Sequence, residues 1–357
     1  MTICSNVGAI AFGGTMSINR QLRLARNIRI GEPVSLDLFD LVETDIPTPV
    51  QGQFLVKTEA LGTSPAQRAY LMGSESRFHP PLPIGEMMRG RGVGRVVVSM
   101  HGDYSVGDVV ACSTGWQDYS LQSGDQSDML VKTLQRVHQP QDPLYLHLGT
   151  LGASAFAAYF GLLDIGNPQA GETVVVSAAA GGVGSIVAQI ARIKGCRIIG
   201  IAGGREKCSW IKSIIGVDAA IDYKSDDVDA KLAEYCPNGI DVYFDNVGGE
   251  ILDTALKHFA LKGRAVICGL ISTEYQEPPL PGPRHYYNLI YKRARMEGFF
   301  VWDYYKQFQA AESDLLAWYK SGELVSTEKL YHGLTSAPEA LQSLFEGIDC
   351  GIKVVKL

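Results

Sequence analysis

Between residues 174 and 301, short apolar runs alternate with stretches of helical period. The runs are VVVS (174–177), RIIGI (197–201), AAI (219–221), DVYF (241–244), RAVIC (264–268) and MEGFFV (296–301). Between them stand SIVAQIARIK, KCSWIKSI, VDAKLAEY and ILDTALKHFA, each with helical spacing of its apolar residues. Six strand signals separated by helices predict βαβ units, and so a parallel sheet covered on both faces. From about residue 20 to 140 the text changes character. QFLVKTEAL, GRGVGRVVVSM, GDVVACST and DMLVKTL are short runs punctuated by Gly and Pro, the pattern of a β-rich domain with many turns. LGASAFAAYFGLL (151–163) reads as a buried helix, QFQAAESDLLAWYKSG as a last helix, and IKVVKL as a terminal strand. The expected organisation is therefore an α/β unit, 144–317, inserted into a β-rich domain made of 1–143 and 318–357. Residues 1–15 are expected to be a flexible extension.

The first of these runs ends in SAAAGGVGS, where Ala179, Gly181 and Gly184 match AxGxxG between a strand and a helix whose Ile186, Ile190 and Ile193 share one face. Such a turn lets backbone N–H groups of Gly181, Gly182, Val183 and Gly184 approach a diphosphate, and a helix N-terminus adds roughly half a positive charge. A glycine turn by itself is also compatible with nothing more than tight strand-to-helix packing. Within six strand signals, a dinucleotide is the natural occupant. The second strand ends in Ala202, Gly203, Gly204, Arg205, without the acidic residue that holds a ribose 2′-hydroxyl in NAD binders. Arg205 and Lys207 are in reach of a 2′-phosphate, so the expected cofactor is NADPH. Cations in the first turn of a helix oppose its dipole, and a bound phosphate accounts for them.

A chain of 357 residues with 46% apolar residues has ample material for two cores. Its formal charge of −6 offers no long-range attraction to nucleic acid or anionic lipid, so an anionic ligand is held by local geometry. RHYYNLIYKRAR mixes cations and aromatics, yet an acidic chain without a nucleic-acid module argues against that partner. The seven cysteines are scattered with no CxxC pair, which suits a reducing, cytoplasmic setting. Thr173–Ala191 carries no charge over a length that could cross a bilayer, but its glycines and Gln189 fit a buried strand, turn and helix instead.

Zinc chemistry needs three or four Cys, His or acidic ligands in a recognisable set, and the sequence contains none: the seven histidines are dispersed, and GEMMRGRG has Met87 where a ligand pair is expected. GxSxG and HExxH are absent as well. With no metal expected, a developing oxyanion is steadied by hydrogen bonds, which suits conjugate reduction of an enone through an enolate better than simple alcohol oxidation. That reaction needs a hydroxyl donor and a proton at the α-carbon, and Tyr275, Tyr286, Tyr287 and Tyr291 cluster after the fifth strand.

These residues resemble the medium-chain dehydrogenase/reductase superfamily, and within it the zinc-independent alkenal double-bond reductases and prostaglandin reductases. The resemblance runs from Asn19 to near the C-terminus and is carried by AAYFGLLDIG, SAAAGGVG, IDVYFDNVGGEILD, CGLIS and LIYKRARMEGF. It implies a Rossmann doubly wound sheet inserted in a GroES-like domain, NADPH, a small enal or enone substrate, and a homodimer. By position it implies that Gly181–Gly184 hold the diphosphate and that Lys207 and Tyr223 meet the 2′-phosphate. Asn246 and Cys268, Gly269, Leu270, Ile271 and Ser272 would line the path from adenosine to nicotinamide, with Phe299, Phe300, Val301 and Asp349 beside the nicotinamide. Tyr291 is the implied proton donor or enolate partner, and Tyr275 an implied substrate contact. The chain departs from the family text at Ser64 and Ala66, where an aspartate and a tyrosine are usual, and at Asp349, where an asparagine is usual. Quinone reduction, a pathway-specific enoyl reduction and a non-catalytic NADPH-binding protein remain alternative functions on this fold.

Overall fold

The alternating apolar text folds into one parallel sheet, and the turn-rich text into antiparallel ones. The computed structural model describes residues 18–73, 80–124, 127–128, 131–132, 134–141, 143–272 and 281–357; the expected extension at 1–15 and Tyr275 lie outside them. β1 (Ile18–Leu24) and β2 (Phe39–Asp45) form an antiparallel ribbon. β3 (Gln53–Gly62), β4 (Arg91–Ser99), β5 (Val109–Ser113) and β6 (Tyr119–Ser123) follow, then a short ribbon of β7 (Ser127–Asp128) with β8 (Val131–Lys132), then β9 (Gln135–Arg136). The α/β unit supplies β10 (Thr173–Val176), β11 (Arg197–Ala202), β12 (Ala219–Asp222), β13 (Ile240–Asp245), β14 (Phe259–Ile267) and β15 (Arg295–Gly298). Last come β16 (Glu328–His332) and β17 (Ile352–Lys356).

The six strands β10 to β15 lie in the order β12-β11-β10-β13-β14-β15, and every neighbouring pair is parallel. This is a Rossmann doubly wound sheet, with its order reversing between β10 and β13, where such sheets open a binding crevice beyond their carboxyl ends. Val174, Val175 and Val176 are wholly buried, as a strand covered on both faces requires. The chain returns after this unit: β17 pairs antiparallel with β3 in the sheet β16-β17-β3-β4-β5-β9. That return joins the last residues to the N-terminal sheet and makes the α/β unit an insertion.

Two elements depart from the sequence reading. The strand expected at 264–268 begins earlier, at Phe259, because Phe259 pairs with Ile240 before the backbone loops out through Lys262 at φ +65°. The strand expected at 296–301 stops at Gly298, where the chain leaves the sheet edge. A single apolar cluster runs through the seam between the sheets: Val93, Val109 and Ala111 belong to it together with Val174, Ile198 and Val242. The helix Phe308–Ser321 packs into the same cluster through Phe308, Ala311 and Leu315, and it crosses the boundary expected at 317/318. Among the described residues, no helix is long and apolar enough to cross a membrane.

Candidate active site at the carboxyl ends of the parallel strands

β10 delivers the chain into Ser177–Gly184, and the helix Gly182–Ile193 starts at once with Gly181 as its N-cap. Ala178 sits at φ +47° and its carbonyl accepts from Gly181 N–H at 2.8 Å, which tightens the turn. A Cβ on Gly184 would lie 2.3 Å from that carbonyl oxygen, so the third glycine of the motif is required by packing within the turn. The first intrahelical bond here is Ser185 N–H to Gly181 O, at 3.0 Å, so Gly182, Val183 and Gly184 present N–H groups that the helix itself leaves without a partner. Gly181, Gly182 and Val183 are partly exposed while Ala179 and Ala180 are buried. The loop therefore offers a cradle of backbone N–H donors at a helix N-terminus, the polarity that a diphosphate requires.

The crevice wall beside β10 is built by a network centred on Asp245, a residue the sequence reading did not single out. Asp245, wholly buried at the end of β13, accepts from Ser177 Oγ at 3.0 Å, Tyr243 Oη at 3.1 Å, Val247 N–H at 3.1 Å and Gly248 N–H at 3.0 Å. Burial pushes its carboxyl above the usual range, and those four donors pull the other way. Asn246 then donates from Nδ2 to Ser177 O and from its backbone to Ser177 Oγ, both at 2.8 Å, so its position at the switch point is fixed from two sides. Cys268 and Gly269 N–H groups reach Asp245 O at 2.8 and 3.1 Å, and Ser272 donates to Val247 O through both N–H and Oγ. Cys268–Ser272, with Leu270 exposed and Ile271 half-buried, thus lies beside Asn246. The signal for this network was an acidic residue closing the apolar run Val242–Phe244 ahead of two glycines.

Tyr223 lies over Gly203, whose Cβ would come within 2.7 Å of the ring. Arg205 is exposed and Lys207 half-buried in the first turn of the helix Arg205–Trp210. Burial lowers the Lys207 ammonium, which lies near Cys350 and Asp349. Asp222, at the end of β12, spends its carboxylate on backbone N–H groups: Gly204 at 2.7 Å and Lys224 at 3.1 Å. Those donors hold it below the usual carboxylate range and keep it occupied.

Phe299 follows β15 at the crevice end, but its ring turns inward: a Cβ on Gly161 would meet it at 2.6 Å, and it packs on the shared core. Phe300 is exposed and Val301 half-buried. The Asp349 carboxylate accepts from Tyr331 Oη at 2.8 Å and lies 3.6 Å from Lys329 Nζ, while its segment reaches the glycine loop through Gly351 N–H to Ala180 O at 2.8 Å. Tyr291 is not brought to this crevice. It precedes β15, Lys292 O next to it accepts from Lys262 N–H at 2.7 Å, and Asn288 in the same short helix donates to Leu256 O at the far end of Gly249–Lys257. Those contacts put Tyr291 at the amino ends of the strands, 69% exposed, with its ring 6.2 Å from that of Tyr287. Among the described residues, no three His, Cys, Asp or Glu side chains are grouped to hold a metal ion.

Ser64 and Ala66, which differ from the family text, lie in a short helical turn. Ser64 N–H donates to Gln67 Oε1 at 2.9 Å, and Gln67 Nε2 donates to Arg89 O. The role of Ser64 there is that of a cap.

Comparison with known proteins gives the same architecture. The N-terminal domain of oxidoreductase family matches residues 20–130, and the family described as zinc-binding dehydrogenase matches residues 182–318. The chain is 40% identical over 332 residues to the NADPH-dependent curcumin reductase of Escherichia coli, covering 92% of this chain and 94% of that one. It is 39% identical over 302 residues to the 2-alkenal reductase (NADP(+)-dependent) of Nicotiana tabacum, covering 84% and 86%. Among solved structures, CurA from Vibrio vulnificus in complex with NADPH superposes with a TM-score of 0.84 at 38% identity, over 94% of this chain and 98% of that one. A sheet order of this kind, an inserted Rossmann unit and identity at this level over nearly the whole length have one reading: the chain belongs to the medium-chain dehydrogenase/reductase superfamily, in its zinc-independent group of alkenal and prostaglandin reductases.

Proposed function

We propose that this chain is an NADPH-dependent reductase of the carbon–carbon double bond of α,β-unsaturated aldehydes and ketones. The observation that carries the reading is the meeting, at one crevice, of the Gly181–Gly184 cradle, the half-buried Lys207 and an Asp222 carboxylate already engaged by backbone. That combination favours an anionic 2′-phosphate over a free 2′-hydroxyl. The names of the relatives in Escherichia coli and Nicotiana tabacum and the NADPH held by the Vibrio vulnificus structure support it.

In this reading NADPH, when bound, supplies the hydride that adds to the β-carbon. The chain's own residues do the rest. The N–H groups of Gly182, Val183 and Gly184 take the diphosphate; Lys207, Arg205 and Tyr223 take the 2′-phosphate. Asn246, fixed by Ser177, and the Cys268–Ser272 segment line the path to the reacting end. A hydroxyl must then steady the enolate oxygen and a proton must reach the α-carbon. Of the four tyrosines that follow the fifth strand, Tyr275 is three residues along the chain from Ser272, whereas Tyr291 belongs to the opposite end of the sheet. We assign the donor to Tyr275 and give Tyr291 a place in the subunit interface.

That interface follows from the sheet edge. β15 ends the strand order, all four of its residues are exposed, and Tyr286, Tyr287, Ile290, Tyr291 and Met296 form an exposed apolar surface next to it. An uncovered edge and patch of this kind suit pairing with a second copy of the chain in a homodimer. Six free cysteines among the described residues suit the reducing cytoplasm. The test of the function is NADPH oxidation followed across a panel of enals, enones and quinones. Turnover of enals and enones supports the reading; consumption of NADPH with quinones alone would replace it with a quinone reductase.

A further inference from the structure

Lys353 lies on β17 and is 3% exposed, yet its three donor positions are all used. Nζ donates to Asp349 O at 2.9 Å, Cys350 O at 3.1 Å and Gly351 O at 3.1 Å, so three consecutive carbonyls converge on one ammonium. The other side of the same segment faces the glycine loop. Gly351 N–H donates to Ala180 O, Gly351 pairs with Gly181 as a parallel bridge, and Ile352 stands 3.1 Å from where a Gly182 Cβ would be. Gly351 itself, at φ +72°, could carry no side chain, because its Cβ would lie 1.8 Å from Thr327 O. Lys207 approaches from the helix after β11, its Nζ 3.5 Å from the Cβ position of Gly347.

We propose that Lys353 is a positioning residue for the dinucleotide, gathering the Asp349–Gly351 carbonyls inward so that this segment is held against the glycine loop and beside Lys207. The proposal rests on the reading that the glycine loop binds NADPH. Titratable groups face Lys353 from each neighbour: Asp349 and Cys350 on its own segment, Lys207 across the crevice and Lys329 on β16. Burial brings the ammonium down to about 8, against the pull of Asp349. A neutral amine retains two donors, which leaves one of the three buried carbonyls unmet and loosens the segment. A bound diphosphate favours the charged form, so the complex holds this proton more firmly than the free protein does. Affinity is therefore full at neutral pH and declines as pH rises past the free protein's value.

The experiment is fluorescence titration of the full chain with NADPH and, in parallel, NADH, from about pH 7 to about pH 9.5, on the wild type, Lys353→Met and Lys353→Arg. In the wild type the Kd for both coenzymes should rise by up to about tenfold per pH unit above the break. Lys353→Met should bind about tenfold more weakly at neutral pH and show no break. Lys353→Arg, which keeps its charge throughout, should also lose the break. The proposal is overturned by a wild-type profile without a break, by a break that survives in Lys353→Met or Lys353→Arg, or by a break seen with NADPH alone, which assigns it to Lys207. Should Lys353→Met not fold, the NADH arm and Lys353→Arg still decide. A wild type that binds no NADPH at any pH defeats the functional reading itself.

Discussion

The two ends of the parallel sheet are built from similar materials and behave as opposites. At the carboxyl ends, polar groups are paired and at least partly buried: Asp245 with four donors, Asn246 with Ser177, Asp222 with Gly204 and Lys224. At the amino end beside β15, aromatic and aliphatic side chains stand in the open: Tyr286, Ile290 and Tyr291 are 62%, 75% and 69% exposed. A rigid, polar-lined crevice is the setting for ligand chemistry, because preorganised donors cost nothing to arrange when charge develops. An exposed apolar face is the setting for protein contact.

The largest effect should come from breaking the crevice at its tightest point. Gly184→Val puts a branched side chain against Ala178 O, where even a Cβ has only 2.3 Å. NADPH binding, measured by fluorescence, should fall by more than about a hundredfold, with a Tm several degrees lower. Binding within about threefold of wild type would mean that the loop shape is not what holds the ligand. Next comes the contrast between the ends. Tyr275→Phe should lower enone turnover about tenfold to a thousandfold with the NADPH Kd unchanged, while Tyr291→Phe should stay within about twofold. The reverse order would return the donor role to Tyr291. Lys207→Ala should weaken NADPH by about tenfold to a hundredfold and NADH by less than about threefold, read from paired Kd values. An equal loss for both coenzymes contradicts a role at the 2′-phosphate. The smallest effect on chemistry should come from the exposed edge: Met296→Lys should shift the sedimentation coefficient from dimer to monomer while leaving NADPH affinity within about twofold. A wild type that sediments as a monomer would leave that surface without the partner proposed for it.

Much of this was readable along the chain, and the reasons are physical. The parallel sheet follows from apolar runs too short to be helices and buried on both faces. The glycine loop follows from spacing within six residues, a range over which backbone geometry is dictated locally. AGGREK places two cations and no carboxylate at the end of β11 for the same reason. What was not readable depends on contacts between distant residues or on direction within the sheet. Lys353 and Ala180 are brought to the same place by the return of the chain through β17. Asp245 looked like one more residue of a family motif until Ser177 and Tyr243 were seen to share it. The resemblance points to Tyr291 as the donor by its place in LIYKRARMEGF, and only the strand polarity shows that the chain has by then run the length of the helix Gly249–Lys257 to the amino ends of the strands. Phe299, beside the crevice in sequence, turns its ring into the core because Gly161 leaves room for it.

The sequence by itself determined the class of sheet, the insertion of one unit into another, the cradle at Gly181–Gly184 and the cationic finish of the second strand, since each rests on local backbone preference and hydrophobic period. The tertiary structure alone decided which polar groups share a buried network, that Tyr291 stands at the end of the sheet away from the crevice, and where a lysine from the last strand places its charge. Those outcomes depend on long-range pairing of the chain, and no local pattern carries that information.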